Sequence, residues 1–206
     1  MSRSSDWTAL FGQSGAAATH LHNEGITAGD IFLFFGWFRN TTKNDTGQFA
    51  YDRQDKHGRH IIYGYMEVGQ VMRIENDSVV PSWIEYHPHI SVERSGNNNT
   101  IYVANKKATW NEELPGFGTF GYHDNLVLTK KGKKTIELVI YINADCTRSM
   151  WALPDIFKSV DITYHKPSSW NGNCFNSAKR GQEFVVSANT EILDWTKGLI
   201  QTHLKR

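Results

Sequence analysis

Cysteine is scarce: Cys146 and Cys174 are the only two in 206 residues. Neither sits in a Cys-x-x-Cys pair, and a chain of this size without a secretory signal keeps both reduced, which excludes a disulfide scaffold. Net charge is almost absent at +1. That gives no case for a dedicated nucleic-acid coat or a membrane-surface protein, so any nucleic-acid contact has to come from a local patch. No apolar run approaches the roughly 20 residues that span a bilayer, and the segment after Met1 opens no signal-peptide core. The expectation is a soluble, cytoplasmic protein in which the sequons at Asn40, Asn44, Asn76 and Asn98 are idle. There is no His-Glu-x-x-His and no cysteine-rich ligand set, so neither a metal nor a cofactor is expected. No repeat, linker or low-complexity tract divides the chain, and residues 1–206 read as one domain with a real core.

What is abundant is aromatic. Seven Trp, eight Tyr and eleven Phe make up 13% of the chain. Such side chains fill cores, and they also stack on bases. The stretch from Gly29 to Ile74 reads as two paired strands joined by a long loop. The first places Phe32, Phe34, Gly36 and Phe38 on one face and Ile31, Leu33, Phe35 and Trp37 on the other. Both faces are apolar, which predicts burial on both sides. The second strand, from His60, is two-faced. Ile62, Gly64, Met66, Val68, Met72 and Ile74 form a core side, and Tyr63, Tyr65, Glu67 and Arg73 a polar, aromatic side. Glycines 36, 64 and 69 inside these strands point to bulges or close backbone approach, hence a curved barrel rather than a flat sheet.

Elsewhere, Ser14 to Asn23 reads as a short helix ended by Gly25. The polar insert from Asn40 to Arg59 is long for a hairpin connection and reads as a mobile surface loop or lid. Pro81 opens a helical turn that Pro88 should stop. His87 and His89, two residues apart in an extended segment, would point the same way and form the best metal-like or acid–base pair, although two histidines alone do not make a metal site. The glycines at 116, 118 and 121 match the letters of a dinucleotide turn but not its strand-to-helix context, so they read as a loop in close approach to something. Asn125–Thr129 and Thr135–Ile142 read as strands around a tip carrying Lys130, Lys131, Lys133 and Lys134, a solubilising turn or a phosphate-contacting finger. Val160–Tyr164 and residues 181–187 read as further strands. Asn189 or Thr190 caps a C-terminal helix with Ile192, Trp195, Leu199 and Ile200 on one stripe.

Two resemblances follow from these residues. Gly29-Asp-x-Phe-Leu-Phe-Phe followed by Ile62-Tyr-Gly-Tyr-Met-Glu-Val68 looks like the core of the PUA/EVE-like barrels, some of which hold modified bases. The second covers about residues 10 to 195. It rests on Gln13-Ser-Gly-Ala-Ala, Gly29 to Arg39, Tyr86-His-Pro-His89, Leu153-Pro, Tyr164-His165 and Gly181-Gln-Glu-Phe184. In these the chain resembles the nucleotide-modification-associated domain family that is third of its numbered series. The resemblance implies a setting of bacterial or phage DNA modification, defence or anti-defence. Relative to that family the chain starts late, and if the missing N-terminal segment carries chemistry, this protein only binds.

The expected fold is α+β: a single domain on a curved PUA/EVE-like β-barrel with a short N-terminal and a C-terminal helix. The leading functional expectation is a pocket that stacks a base or nucleotide on Trp37, Tyr63, Tyr65 and Trp83. Arg39 and Arg73 would meet phosphate or a base edge, and Glu67 or Asp30 would accept from an amine or hydroxyl. The alternative is an enzyme in which His87 or His89 works as acid–base, helped by Glu85, Asp124 or His165, with His123-Asp124 a further candidate. A protein-interaction or inhibitor module is the third reading. The ligand is either a flipped base in a strand or a free signalling nucleotide, nucleic acid is a further partner through the lysine tip, and an oligomer is left open.

Overall fold

The computed structural model describes residues 6–75, 78–92, 98–129, 149–177 and 183–205. The strands in chain order are β1 (Leu10–Ser14), β2 (Ile31–Phe38), β3 (Thr41–Lys43), β4 (Phe49–Tyr51), β5 (Arg59–Arg73), β6 (Asn99–Ala104), β7 (Lys107–Ala108), β8 (Asn111–Pro115), β9 (Phe117–Thr119), β10 (Met150–Trp151), β11 (Trp170–Asn171) and β12 (Cys174–Asn176). The α-helices are α1 (Gly15–Asn23), α2 (Pro88–Ser91) and α3 (Thr190–His203). This is a mixed α/β chain with a curled half-barrel sheet and a C-terminal helix. It divides into two compact units. The first holds Met1–Leu33, Gly64–Thr119 and Lys205–Arg206, and the second Phe34–Tyr63 and Phe120–Leu204. Strands β2 and β5 start in one unit and finish in the other.

In the first unit β1 pairs antiparallel with β6, and β6 with the C-terminal half of β5. The register slips between Val68 and Gln70, a bulge that bends β5 at Gly69. The glycine-rich segment becomes β9, which pairs with Gly64–Met66. Its close approach is to backbone: a Cβ at Gly116 would overlap the Asn105 carbonyl oxygen. From Gly64 to Val68 every residue of β5 is buried, so this part of the strand has no solvated face. Helix α1 forms where the alanine run favours it and buries Ala18 and Leu21. Ser14 stands at its N-cap position but makes no side-chain cap bond. Pro88 does not stop a helix. It starts α2 at its first position, where a missing N–H costs nothing, and the His87 ring accepts from the His89 amide.

In the second unit β3 and β4 form a hairpin within the 40–59 insert, and β10, β12 and β11 form a small sheet. The insert is therefore a defined element rather than the mobile loop expected. Its turn is held by Asn44, whose Oδ1 accepts from Thr46 and from the Gln48 amide at 2.8 Å. Phe35, Trp151 and Phe184 pack edge-on and stacked into an aromatic core. Helix α3 is capped by Asn189, which accepts from Ile192 N at 3.0 Å. It buries Ile192, Thr196, Leu199 and Ile200, and Trp195 meets Phe157 edge-on.

Several expectations need correction. β2 is half-covered rather than buried on both sides, because it lies at the edge of the sheet order β1-β6-β5-β2. Asn125–Thr129 is a 3₁₀ turn, Asp124–Leu126, followed by a single bridge from Val127 to Ile61. The Val160–Tyr164 segment contributes one bridge, Ile162 to Val186, where strands were expected at both ends. The lysine tip with Lys130, Lys131, Lys133 and Lys134, the 135–142 strand and Cys146 lie outside the described residues.

Candidate functional site

The second unit contains a cavity of about 280 Å³. Three segments build it. The end of β2 supplies Phe38, Arg39 and Asn40. The start of β5 supplies Arg59, Ile61, Ile62 and Tyr63, and the segment after β9 supplies Phe120, Gly121 and Tyr122. Arg59, Ile61 and Tyr63 alternate along an extended strand and so share a side. The third wall is fixed by Phe120 N donating to the Tyr63 carbonyl at 2.8 Å and by Gly121 N donating to the His203 carbonyl at 3.3 Å. Tyr63 is stacked on Phe34 and meets Phe38 edge-on, which sets its ring while leaving it 43% exposed. The volume is just below the range of about 300–1,000 Å³ typical of small-molecule sites, which suits a single ring system with its substituents.

The charged side of this cavity is organised by Asp55. Its carboxylate accepts from the Asn40 amide at 2.6 Å and the Gly58 amide at 3.2 Å, and it pairs with Arg59 at 2.7 Å. The Asn40 amide bond above all, then Arg59, holds the Asp55 carboxyl below the ordinary aspartate value despite the opposing cost of burial. Burial also works against the Arg59 charge, yet hydrogen bonds with Tyr122 and Asp55 hold its pKa above the usual arginine value. Arg39 is anchored differently. Its Nε donates to the Asp55 carbonyl at 2.7 Å and Nη2 to the Asp52 carbonyl at 3.2 Å, and its guanidinium lies over Tyr51. These acceptors are neutral. Among the described residues Arg39 has no carboxylate partner, so its charge is aimed but not cancelled.

The structure distributes the sequence-derived candidates unevenly. Arg39 and Tyr63 meet in the cavity. Tyr65 and Glu67 do not: they are 2% and 1% exposed. The Tyr65 hydroxyl donates to the Pro115 carbonyl, and burial, helped by the Glu67 charge, pushes its pKa up to about 12. Glu67 is saturated by the Thr109 amide and hydroxyl and by Asn105 Nδ2. Arg73 is in the first unit and reaches the His22 ring. Trp83 belongs to the turn Ser82–Ile84 in that same unit. Trp37 gives its Nε1–H to the His57 carbonyl and lies against Gly58, where a Cβ would come within 2.6 Å of the indole and φ is +59°. It supports the insert from below and does not line the cavity. Asp30 accepts from the Thr27 amide, a turn role.

The histidines fall into separate places. His87 and His89 are together in the first unit with ring centroids 5.4 Å apart. His165 is in the second unit, packed on Phe175 and Phe184, with Nδ1 on the Thr163 carbonyl. Asp124 accepts from the Tyr122 hydroxyl. Cys174 is free. Among the described residues no three His, Cys, Asp or Glu gather as a metal ion requires, and no helix is long and apolar enough to cross a membrane. The residues that sequence reasoning missed are Arg59, Tyr122, Phe38 and Phe120. The glycine-rich run ending at Gly121 was the available signal, since it leads into the cavity's third wall.

The cavity thus offers aromatic faces, two guanidinium groups and an amide. These groups match a planar, electron-rich or anionic molecule. No curated protein and no solved structure matches the chain. A family model described as nucleotide modification associated domain 3 matches residues 1–187. The chain therefore belongs to the nucleotide modification associated domain 3 family.

Proposed function

We propose that this protein binds a nucleotide or a modified nucleobase in the cavity of the second unit. The observation that carries the reading is the meeting of Arg39, whose charge has no carboxylate partner among the described residues, with the exposed Tyr63 in one small hollow. A base would stack on Tyr63 and its aromatic neighbours, a contact worth about 1–3 kcal/mol. Arg39 would take the phosphate or a base edge bidentately, with Asn40 available to a base edge. The setting we infer is cytoplasmic, in DNA modification, phage defence or anti-defence, where holding or sequestering a nucleotide suffices. The family description supports the nucleotide part of this reading. The likeness to base-holding PUA/EVE-like barrels belongs to the same proposal, supported by the half-barrel sheet and the β5 bulge.

The test is retention. Purified protein is denatured, and the released material is read at 260 nm and by chromatography. A nucleotide that co-purifies with the native chain and is lost in both Arg39→Ala and Tyr63→Ala, with melting temperatures unchanged, supports the reading. A panel of nucleotides and bases that binds neither native protein nor variants sinks it.

A second reading, an acid–base enzyme, has one observation in its favour. His87 Nδ1 accepts from the His89 amide, so the neutral His87 ring carries its proton on Nε2. Asn99 donates Nδ2 to the His89 carbonyl, which orients its Oδ1 to accept from His89 Nδ1 and leaves His89 Nε2 as the basic nitrogen. The two rings are thus opposite tautomers: His87 presents an Nε2–H that can donate a hydrogen bond, and His89 presents a bare Nε2 that can accept one. Turnover of any nucleotide that is lost in His87→Ala would favour this reading.

A further inference from the structure

We infer that the β3–β4 hairpin is a platform for single-stranded nucleic acid, so that the base held in the cavity belongs to a strand rather than to a free nucleotide. The inference rests on the pocket reading and narrows it. Strand alternation and the register Thr41↔Tyr51 and Lys43↔Phe49 put Arg39, Thr41, Lys43, Phe49 and Tyr51 on one side of the hairpin. Every residue of β3 and β4 is exposed, with Phe49 at 73% and Tyr51 at 61%. Two large rings left in water on a two-stranded ribbon contribute nothing to a core. Each ring carries a cation instead: Lys43 Nζ lies 5.4 Å from the Phe49 centroid, and the Arg39 guanidinium carbon 4.6 Å from that of Tyr51.

Alternating rings and cations are what an unpaired strand requires. Bases stack on the rings without regard to sequence, and phosphates meet the cations. Phe49 and Tyr51, two residues apart, are spaced by about 7 Å along the strand, room for one base on each. Charge agrees. Residues 38–63 contain five Lys or Arg against three Asp, an excess of two, while the whole chain is only +1. Arg39 joins the two features, since it lines the cavity and also covers Tyr51. A strand lying on the hairpin can therefore pass one unstacked base into the hollow, as proteins that take a base out of its stack do.

Fluorescence anisotropy with labelled 12-mers of oligo-dT and oligo-rU, a 12-bp duplex, and calorimetry with the corresponding 5′-monophosphates test this on the full chain. The single strands should bind at least tenfold tighter than the monophosphates and tighter than the duplex. Their affinity should fall with added salt. The Phe49→Ala, Lys43→Ala double variant should lose roughly tenfold in strand affinity while its monophosphate affinity and melting temperature stay at the native values. Whether DNA or RNA binds better identifies the source of the strand. Monophosphate binding with no gain for the strands, or strand binding untouched by the double variant, overturns the platform and leaves the pocket standing. Failure of both monophosphates and strands overturns the pocket as well.

Discussion

Arg39 lies across Tyr51, its guanidinium carbon 4.6 Å from the ring centroid, while its Nε–H is given to the Asp55 carbonyl at 2.7 Å. Five N–H donors in a rigid fork allow one arginine to be clamped on one edge and still present the other. That geometry makes a specific demand on substitution. Arg39→Lys keeps the charge but loses the fork. Titration calorimetry should show Arg39→Lys nearly as weak as Arg39→Ala, each at least tenfold below native, which is about 1.4 kcal/mol.

Asp55 governs the shape of the same loop. Its folded pKa is depressed, so its contribution to stability is present above the unfolded value of 3.8 and is lost as pH falls through the lower folded value. Nucleotide affinity should therefore be flat in this group from pH 7 to 5 and fail only in stronger acid. Asp55→Asn keeps the size but weakens the bonds to Asn40, Gly58 and Arg59. It should cost about 1–2 kcal/mol in a denaturant melt and lower affinity at neutral pH.

How far the sequence carried this picture depends on what covers each strand. The periodicity of α3 and the apolar run of β2 were readable because they need only local pattern. Alternation named Tyr63, and Arg39 was named for its charge; both line the cavity. Tyr65 and Glu67 were misread because alternation assumes that one side of β5 meets water. In the folded chain β9 and the segment around Asn105 and Thr109, some forty to fifty residues downstream, close that side. Arg59 looked like one more charge in a polar insert. Its place in the cavity depends on Asp55 and on Tyr122, sixty-odd residues away, and no spacing rule predicts such a meeting.

The buried Tyr65 phenol yields an alkaline signature. Its folded pKa is raised, so the stability it contributes is full below the unfolded value of 10 and disappears as pH rises to about 12. Tyr102 is raised by burial too, against the pull of Arg73. Tyr65→Phe should cost about 1 kcal/mol at pH 7 through the lost bond to Pro115, should flatten the decline between pH 10 and 12, and should bind nucleotide as native does. Paired melts across pH check both parts.

Glu67 makes a sharper demand on stability. Glu67→Ala leaves the Thr109 amide and hydroxyl and the Asn105 amide facing a hole. Stranding buried donors beside a cavity should cost about 3 kcal/mol or more in urea unfolding. If the protein tolerates the change with no loss, the carboxylate is not the tie described.

The most direct measurement is a crystal of the protein grown with the nucleotide or base that binds it best in solution. The account predicts the base seated in the 280 Å³ cavity against Tyr63, with its anionic or most electron-rich group on Arg39. A nucleotide found bound elsewhere on the chain, with that cavity vacant, would contradict it.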